Sequence, residues 1–405
     1  MQKVIFLVDM NAFYISCEMT RNSSLVGKPS AVAGNPKKRT GIILAANYEA
    51  RAFGVKTAMV VHEALKLCPN IQLVPPDHDF YEFKSKQVMS MLSNYSPIVE
   101  QNSIDEAWLD MTGMEELLGS PQKSAKKIMN EIKNVLGLWC SIGISENKFL
   151  AKMASELKKP LGITELWKKD VETKLWPLPV GKMYGVGKKT ACLLNQMGIQ
   201  TIGELARYDR KQLVKALGKH GNEIYLHANG HDTSTIKPNT AKDMKSIGRS
   251  TTLPQDISDI EKAKLILLEL SEDVGMTARK YEKKGRTVQI TLKYTDFKVI
   301  TRQTTISPTC STNDIYLAGC NLLEKNWNRL RPVRLIGISI SGFDENCTEG
   351  QLSLFDLLDN DILEDNIKNN KFERIDKAID EIRAKFGTDK ISRAVLVQKN
   401  INEDF

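Results

Sequence analysis

The first 166 residues alternate between short apolar runs and longer stretches with helical periodicity. Residues 3–8 (KVIFLV) form a continuous apolar run that is typical of a buried strand. A helix start follows in MNAFYISCEMT. Further helices are predicted over residues 77–96, 124–137 and 147–160, and strands are predicted over residues 97–101, 104–109 and 139–145.

This alternation predicts an α+β fold in which a ferredoxin-like sheet carries its helices on one face. Residues 31–33 (AVA) and 41–46 (GIILAA) predict two more short strands, separated by the basic turn GNPKKRT. The segments YEARAFGV and TAMVVHEALKLCPN then predict two helices.

The pattern changes after residue 166. Residues 167–233 predict short helices joined by glycine turns, and the polar segment 233–245 reads as a linker. Beyond it, strands with period-two alternation are separated by helical stretches at 258–282 and 312–328, which predicts a second α+β unit. Residues 345–370 are acidic and rich in Asn, which predicts a flexible segment, and FERIDKAIDEIRAKFG predicts a helix.

Composition limits the class of protein. The chain has 405 residues, of which 41% are hydrophobic and 26% charged, as in soluble globular proteins with several domains. Its net charge of +8 is compatible with a nucleic-acid partner. The seven cysteines are scattered without CxxC spacing, which predicts reduced thiols in a cytoplasmic protein. We expect no signal peptide and no membrane span.

Three acidic residues stand out against this background. Asp9 ends the first apolar strand, and Asp105 and Glu106 are adjacent in the segment SIDEAWLD. If the two strands are neighbours, these carboxylates converge at one edge of the sheet, where they repel unless a cation neutralises them. Mg²⁺ prefers such oxygen ligands. The alternative is that Asp9 caps a helix while the acidic pair is a solvated hairpin edge.

A wider set of motifs resembles the Y-family DNA polymerases, the translesion enzymes related to DNA polymerase IV. The motifs are VDMNAFY, ANYEARAFGV, SIDEAWLD, GISENKFLAKMAS and YGVGKKTACLLNQMGIQTIGELA, continued by KSIGRSTTL and RLIGISISGF. The resemblance covers roughly residues 1–345. One position departs from it, because the family usually has VDMD where this chain has Asn11.

The resemblance implies a right-hand polymerase with a ferredoxin-like palm, small fingers, a helical thumb and an α+β little finger. The implied boundaries are 1–20 and 78–166 for the palm, 21–77 for the fingers, 167–233 for the thumb, 234–243 for a linker, 244–343 for the little finger and 344–405 for a tail. The tail resembles the C-terminal segments of UmuC-like members. The short fingers imply an open, permissive site and low-fidelity synthesis across damaged template.

The same resemblance assigns the active site. Asp9, Asp105 and Glu106 match the catalytic, metal-binding acids, and the backbone carbonyl of Met10 is expected to face a metal. The implied cofactor is a pair of Mg²⁺ ions. Tyr14 falls at the steric-gate position, with Phe13 facing the core. The residues that match contacts to the dNTP triphosphate are Tyr48, Arg51 and Lys152. Asp110 is assigned to the fold and not to the site.

Two further regions are expected to bind macromolecules. Gly185, Gly187, Lys188 and Lys189 in GVGKKT resemble a helix-hairpin-helix that holds a DNA phosphate. Arg249, Lys293, Lys298 and Arg302 lie on or near strands of the implied little finger, and we assign Arg249 and Arg302 to DNA binding. In GQLSLFD, the residues Gln351, Leu354 and Phe355 resemble the peptide by which bacterial polymerases dock on the sliding clamp.

The expected partners are therefore primer-template DNA, dNTPs and a sliding clamp through residues 351–355. We expect a monomer in the bacterial cytoplasm, associated with the nucleoid and not with a membrane. Two alternatives stay open at this point. A nucleotidyl cyclase uses a similar palm but explains neither GVGKKT nor the clamp peptide. A DNA-binding scaffold with a decayed palm does not explain the intact acids.

Overall fold

The structure is a computed structural model that describes residues 3–35, 41–238, 244–343, 360–387 and 390–396. The chain divides into two compact units, Met1–Asn239 and Thr240–Phe405. Within the described ranges, no helix has both the length and the apolar character needed to cross a membrane. Each of the six cysteines in these ranges is a free thiol, as the sequence predicts.

The first unit contains two sheets and a helical segment. Its strands are β1 (Ile5–Met10), β2 (Ser30–Ala33), β3 (Ile43–Ala46), β4 (Gln72–Val74), β5 (Val99–Gln101), β6 (Glu106–Asp110), β7 (Cys140–Ser145) and β8 (Ile163–Glu165). Its helices are α1 (Phe13–Arg21), α2 (Tyr48–Ala52), α3 (Val61–Leu67), α4 (His78–Leu92), α5 (Glu115–Leu118), α6 (Pro121–Glu131), α7 (Lys148–Leu157), α8 (Lys188–Gln196), α9 (Ile202–Arg207), α10 (Arg210–Leu217) and α11 (Lys219–Ala228).

The larger sheet has the strand order β5-β6-β1-β7-β8, and its central strand β1 is antiparallel to both neighbours. Every residue of β1 is buried, which explains its continuous apolar sequence. Phe6, Val8 and Met10 face the core built with α4 and α6, while Ile5 and Leu7 face the opposite side. Because side chains alternate along a strand, Asp9 shares the face of Ile5 and Leu7.

The sheet carries helices on both faces, so the prediction of helices on one face was wrong for α7. Helix α7 lies over β7 on the face of Asp9, because Gly143 leaves room for it. A Cβ at Gly143 would lie 2.0 Å from the carbonyl oxygen of Ala151 in α7. The helix begins at a side-chain cap, since Asn147 Oδ1 accepts a hydrogen bond from the Leu150 N–H at 2.8 Å.

The strand predicted over residues 104–109 instead spans Glu106–Asp110. Residues 102–105 form a tight turn in which the N–H groups of Asn102 and Ser103 donate to the Glu106 carbonyl. Asp105 therefore lies in a bend before the strand, and strand alternation does not force its side chain away from that of Glu106.

The smaller sheet of this unit has the order β3-β2-β4 and packs with α2 and α3 around its own core. Helices α8–α11 share a third core with α7, in which Phe149, Leu150 and Met153 contribute from α7. Of the predicted linker, residues 234–238 belong to this unit: Ile236 packs with Ile5 and Leu7. Residues 239–243 lie outside the described part of the chain.

The second unit is one antiparallel sheet covered by helices. It contains β9 (Ser246–Ile257), α12 (Ile260–Lys280), β10 (Gly285–Tyr294), β11 (Val299–Thr309), α13 (Thr312–Asn326), β12 (Val333–Phe343) and α14 (Asn360–Phe386). The strand order is β11-β10-β12-β9. Val288, Ile290 and Leu292 of β10 face the core with α12 and α13, as their period-two spacing predicts.

The prediction of a flexible segment over residues 345–370 was partly wrong, because the backbone is helical from Asn360, where α14 begins. Its C-terminal half packs on α12 and α13, and ion pairs join it to α12 in a group that we call the C-terminal ion cluster. The cluster consists of Glu272, Arg279, Asp376, Asp380, Arg383 and Arg393, with N–O distances of 2.6–3.2 Å. Asp376 also accepts a hydrogen bond from the Thr312 N–H at the start of α13.

Candidate active site

Asp9 and Glu106 form a directly opposite pair on neighbouring strands. The register of β1 and β6 places Asp9 across from Glu106, so both side chains lie on the same face of the sheet. Asp105 joins them from the bend before β6, where its carbonyl accepts a hydrogen bond from the Met10 N–H and its carboxylate accepts one from Ser103 Oγ at 2.5 Å. The adjacent acids of the sequence thus line one cavity together with Asp9.

Two lysines neutralise this acidic edge. Lys152 Nζ, on α7, lies 2.8 Å from Asp9 Oδ2 and 2.6 Å from Glu106 Oε2. Lys159 Nζ lies 2.9 Å from Asp9 Oδ1, and both ammonium groups also contact Glu156. Burial acts to lower the pKa of Lys152, but the attraction of Asp9 and Glu106 outweighs it, so the pKa is raised overall. Both lysines are therefore cations at neutral pH.

The cavity has a volume of about 440 Å³ and lies between the acids and helix α2. Asn47 caps α2 through the Ala50 N–H and also accepts a hydrogen bond from the Ser30 N–H, which ties the helix to β2. The Arg51 guanidinium donates to the Ala46 carbonyl and lies over the ring of Tyr48. Helix α2 thus presents a fixed cation and a phenol to the cavity.

The Tyr48 hydroxyl is buried and has no hydrogen-bond partner among the described residues. An unpaired buried hydroxyl is costly. Burial raises the pKa of this phenol, so it keeps its proton at neutral pH and can donate a hydrogen bond. Tyr48 belongs to the lining of the cavity, so a small shift of its ring would let the hydroxyl donate to an anionic ligand oxygen there.

Tyr14 forms another wall of the cavity and is supported from behind by aromatic rings. It is partly buried, and its ring stacks on Tyr81 and meets the edge of His78. Burial, and then the charge of Asp105, raises the pKa of Tyr14. Phe13 is 3% exposed and belongs to the core, as expected. Tyr14 therefore has both a packing role and a face toward the cavity.

The donor set suits a hard divalent cation, because Asp9, Asp105, Glu106 and Met10 all line the same cavity and three of them offer carboxylate oxygens. Yet no three acidic, histidine or cysteine side chains within the described ranges are arranged as a preformed metal site. Lys152 Nζ bridges the carboxylates of Asp9 and Glu106.

The segment GVGKKT forms the turn before helix α8 and the first residues of that helix, and most of it is exposed to solvent. Gly185 has φ +89°, a left-handed conformation that favours glycine, and Gly187 is the N-cap residue of α8. Among the described residues, no side chain caps the first turn of α8. Lys188 and Lys189 are exposed at that end. The arrangement can accept a phosphate, and its role in DNA binding stays a prediction.

Arg249 and Arg302 lie on the two edge strands of the second unit, β9 and β11. Arg249 is paired with Ile338 and Arg302 with Ile290, so both arginines emerge on the helix-covered side of the sheet, with exposed side chains. Arg249 reaches Thr277 of α12. Their contact with DNA stays a prediction. The clamp residues Gln351, Leu354 and Phe355 lie outside the described part of the chain.

Sequence reasoning missed Lys159 and Glu156. Both line the cavity, and Lys159 contacts Asp9 directly. The available signal was weak: Lys159 follows Lys152 by seven residues, which is two helical turns, and stands just before Pro160. A lysine in that position ordinarily marks a solvated helix end.

Comparisons with known proteins identify the family to which this chain belongs. The family model described as the impB/mucB/samB family matches residues 8–156, its C-terminal domain matches residues 244–354, and the family's HHH motif matches residues 168–199. A solved Y-family DNA polymerase chimera superposes with a TM-score of 0.76 at 26% sequence identity, covering 84% of this chain and 99% of the chimera.

The chain therefore belongs to the impB/mucB/samB family of Y-family DNA polymerases. Within that family it is similar along its whole length to proteins named DNA polymerase IV. It is 60% identical to the one from Clostridium kluyveri, over 99% of this chain and 100% of that protein, and 60% identical to the one from Alkaliphilus oremlandii, over 98% and 100%. It is 40% identical to DNA polymerase IV 1 of Bacillus subtilis, over 100% and 97%.

Proposed function

We propose that this chain is a translesion DNA polymerase, a nucleotidyltransferase that extends a primer 3′-hydroxyl along a damaged template with dNTPs, and that the 440 Å³ cavity is its active site. The assignment of the site rests on one observation, which is that acidic, cationic and phenolic side chains line the same cavity. Asp9 and Glu106 lie side by side in the lining of the cavity, and Tyr48, Arg51 and Lys159 line it with them.

Each side chain has a role that follows from its chemistry. Arg51, Lys152 and Lys159 would neutralise the triphosphate, with Arg51 suited to two oxygens at once. The Tyr48 hydroxyl would donate to a phosphate oxygen. The ring of Tyr14 would pack against the deoxyribose and leave no space for a ribose 2′-hydroxyl. Catalysis then rests on positioning and on electrostatic stabilisation of phosphoryl transfer.

Members of this family depend on metal ions, and we propose that Asp9, Asp105, Glu106 and the Met10 carbonyl hold two Mg²⁺ ions. Bound there, the ions would activate the attacking oxygen and balance the charge of the leaving pyrophosphate. Chelation with EDTA should stop extension, and added Mg²⁺ should restore it. The order of metal preference would follow from titrating extension rate with Mg²⁺, Mn²⁺ and Ca²⁺.

The direct test is primer extension by the full chain on an undamaged template and on matched templates with a single lesion. We expect extension through at least one lesion that stops a high-fidelity polymerase. Incubation with nucleotides alone, without DNA, is the control for cyclase chemistry. A cyclic product in that control, without primer extension, would contradict the proposal.

We also propose that the polymerase works as a monomer in the cytoplasm, at the nucleoid, and docks on the sliding clamp through residues 351–355. The free cysteines of the described residues support a reducing compartment. Gln351, Leu354 and Phe355 carry the docking proposal through their sequence alone. Gel filtration of the pure chain at several concentrations tests the monomer.

A further inference from the structure

The Asn11 side chain links the end of β1, the strand that carries Asp9, to the turn that contains Leu161 and Gly162. It is 2% exposed and follows directly on β1. Its Oδ1 accepts a hydrogen bond from the Leu161 N–H at 2.9 Å, and its Nδ2 donates to Ser141 Oγ at 3.0 Å. Ser141 Oγ in turn accepts a bond from the Gly162 N–H at 3.3 Å. One buried amide thus holds two consecutive backbone groups of the turn, the second through Ser141.

The turn needs this support because its backbone is tight. Leu161 has φ +57°, a left-handed conformation that is unfavourable for a residue with a branched side chain. At Gly162 a Cβ would lie 2.0 Å from the Lys158 carbonyl oxygen, so the chain passes itself closely there. Loss of the Asn11 bonds would leave the buried Ser141 hydroxyl and the Leu161 N–H without these partners.

The turn carries Lys159 into the cavity. Lys159 stands two residues before Leu161, beyond the end of α7, so the turn and not the helix sets its position. Its Nζ lies 2.9 Å from Asp9 Oδ1 and 2.7 Å from Glu156 Oε1. Asn11 stands two residues after Asp9 at the same end of β1. Its amide therefore fixes the turn that carries Lys159 relative to Asp9, the acid that Lys159 contacts.

We propose that Asn11 is a positioning residue for the dNTP triphosphate, acting through Lys159. The inference rests on the proposed function, in which Lys159 contacts the triphosphate. The amide suits the task because it supplies both the acceptor for Leu161 and the donor for Ser141. It does so without adding a buried negative charge two residues from Asp9. This gives a physical role to the position at which the chain departs from the usual VDMD.

The test compares Asn11→Ala, Lys159→Ala and the double variant in the full chain. KM and kcat for dNTP incorporation are measured, with the affinity of a non-hydrolysable dNTP analogue for the enzyme on a dideoxy-terminated primer and the melting temperature. We expect Asn11→Ala to raise KM and weaken the analogue about tenfold, with kcat changed less than about threefold. The double variant should resemble Lys159→Ala within about twofold, because both changes remove one interaction.

Two more variants separate positioning from general stability. Asn229→Ala removes an amide that donates to the Ala206 and Tyr225 carbonyls, remote from the cavity, and should lower the melting temperature without changing analogue affinity. Asn11→Asp keeps the acceptor for Leu161, and Ser141 can donate to it, but it adds a buried charge two residues from Asp9, so its analogue affinity should lie between those of the unchanged chain and Asn11→Ala. If Asn11→Ala fails to fold, Ser141→Ala interrupts the link to Gly162 and should weaken the analogue to a smaller degree.

The outcomes are distinguishable. Unchanged analogue affinity in Lys159→Ala would overturn the contact of Lys159 with the triphosphate, and the inference with it. Weakened binding in Lys159→Ala but unchanged binding in Asn11→Ala would overturn the inference alone. Independent, multiplying effects in the double variant would also overturn it, because they would show that Asn11 acts by another route.

Discussion

The ring of Tyr14 stacks on the ring of Tyr81, with centroids 4.4 Å apart and planes inclined by 14°. The platform is itself anchored, because the Tyr81 hydroxyl donates to Glu18 Oε1 at 2.7 Å and Arg21 donates to both oxygens of the same carboxylate. Tyr14 therefore cannot retreat from the cavity by sinking into the core. A rigid ring in this position is suited to reject a slightly larger sugar.

Replacing Tyr14 with alanine should admit ribonucleotides. Removal of the ring removes the collision with a 2′-hydroxyl, so the ratio of kcat/KM for dCTP over CTP should fall by about two orders of magnitude, equivalent to about 3 kcal/mol. Single-nucleotide incorporation with each substrate measures it. Tyr14→Phe is the matched control, since it keeps the ring and should keep the discrimination. An unchanged ratio in Tyr14→Ala would place the gate elsewhere.

Replacing Asp105 with alanine should abolish nucleotide incorporation while DNA binding persists. If Asp105 is a shared metal ligand, as proposed, its loss would remove several kcal/mol of transition-state stabilisation, with about 1.4 kcal/mol for each factor of ten in rate. Asp110→Ala is the control. It lies at the far end of β6, where its carboxylate accepts a bond from the Thr112 N–H, and does not line the cavity. Near-normal extension by Asp105→Ala would refute its role as a metal ligand.

The C-terminal ion cluster should stabilise the second unit. The side chains of Arg279 and Asp376 are only 7% and 4% exposed. Arg279→Ala would remove the ion pair of Asp380 and leave the buried Asp376 with only Arg393 and the Thr312 N–H, at a cost of about 2–4 kcal/mol in the free energy of unfolding. Urea denaturation of the full chain measures it. Lys284→Ala, which breaks the more exposed pair with Glu373, should cost about 0–1 kcal/mol. Equal effects of the two changes would show that burial of the cluster contributes nothing.

Replacing Gln351, Leu354 and Phe355 together with alanine should remove stimulation by a loaded sliding clamp and leave synthesis without the clamp intact. An aliphatic–aromatic anchor carries most of the energy in a small interface, so its loss should abolish docking. Extension with and without the clamp, and the melting temperature, are the measurements. A variant that melts several degrees lower and is slow without the clamp would instead identify these residues as a structural strap.

The acids of the site could be predicted from the sequence because their motif lies on regular elements. Once SIDEAWLD is read as a strand beside the first apolar strand, alternation and register bring Glu106 to the face of Asp9. Asp105 was harder, since a strand starting at residue 104 would send it to the opposite face. Only the turn closed by the Glu106 carbonyl places it in the cavity, and such a turn has no apolar pattern to reveal it.

Contacts that depend on tertiary packing could not be predicted from the sequence. Nothing in a lone lysine before Pro160 indicates that Lys159 folds back to Asp9, because a left-handed Leu161 and the buried Asn11 amide direct it there. The face occupied by α7 was also missed, since its amphipathic pattern is satisfied on either side of a sheet that is buried on both. Helix α14 extends into a polar segment whose composition resembles disorder, and its ion pairs come from α12, about a hundred residues earlier.

The absent side chain of Gly143 has a consequence for protein engineering. At Gly143 the strand lies close to the carbonyl of Ala151, which stands one residue before Lys152 in α7. Any larger residue at position 143 would push the helix away from the sheet. A mutant library that varies only the residues lining the cavity would leave the distance between α7 and the sheet unchanged. The spacing between the Lys152 ammonium group and the acids is therefore an adjustable parameter of the enzyme, and it is controlled from beneath the helix, by a residue that does not line the cavity.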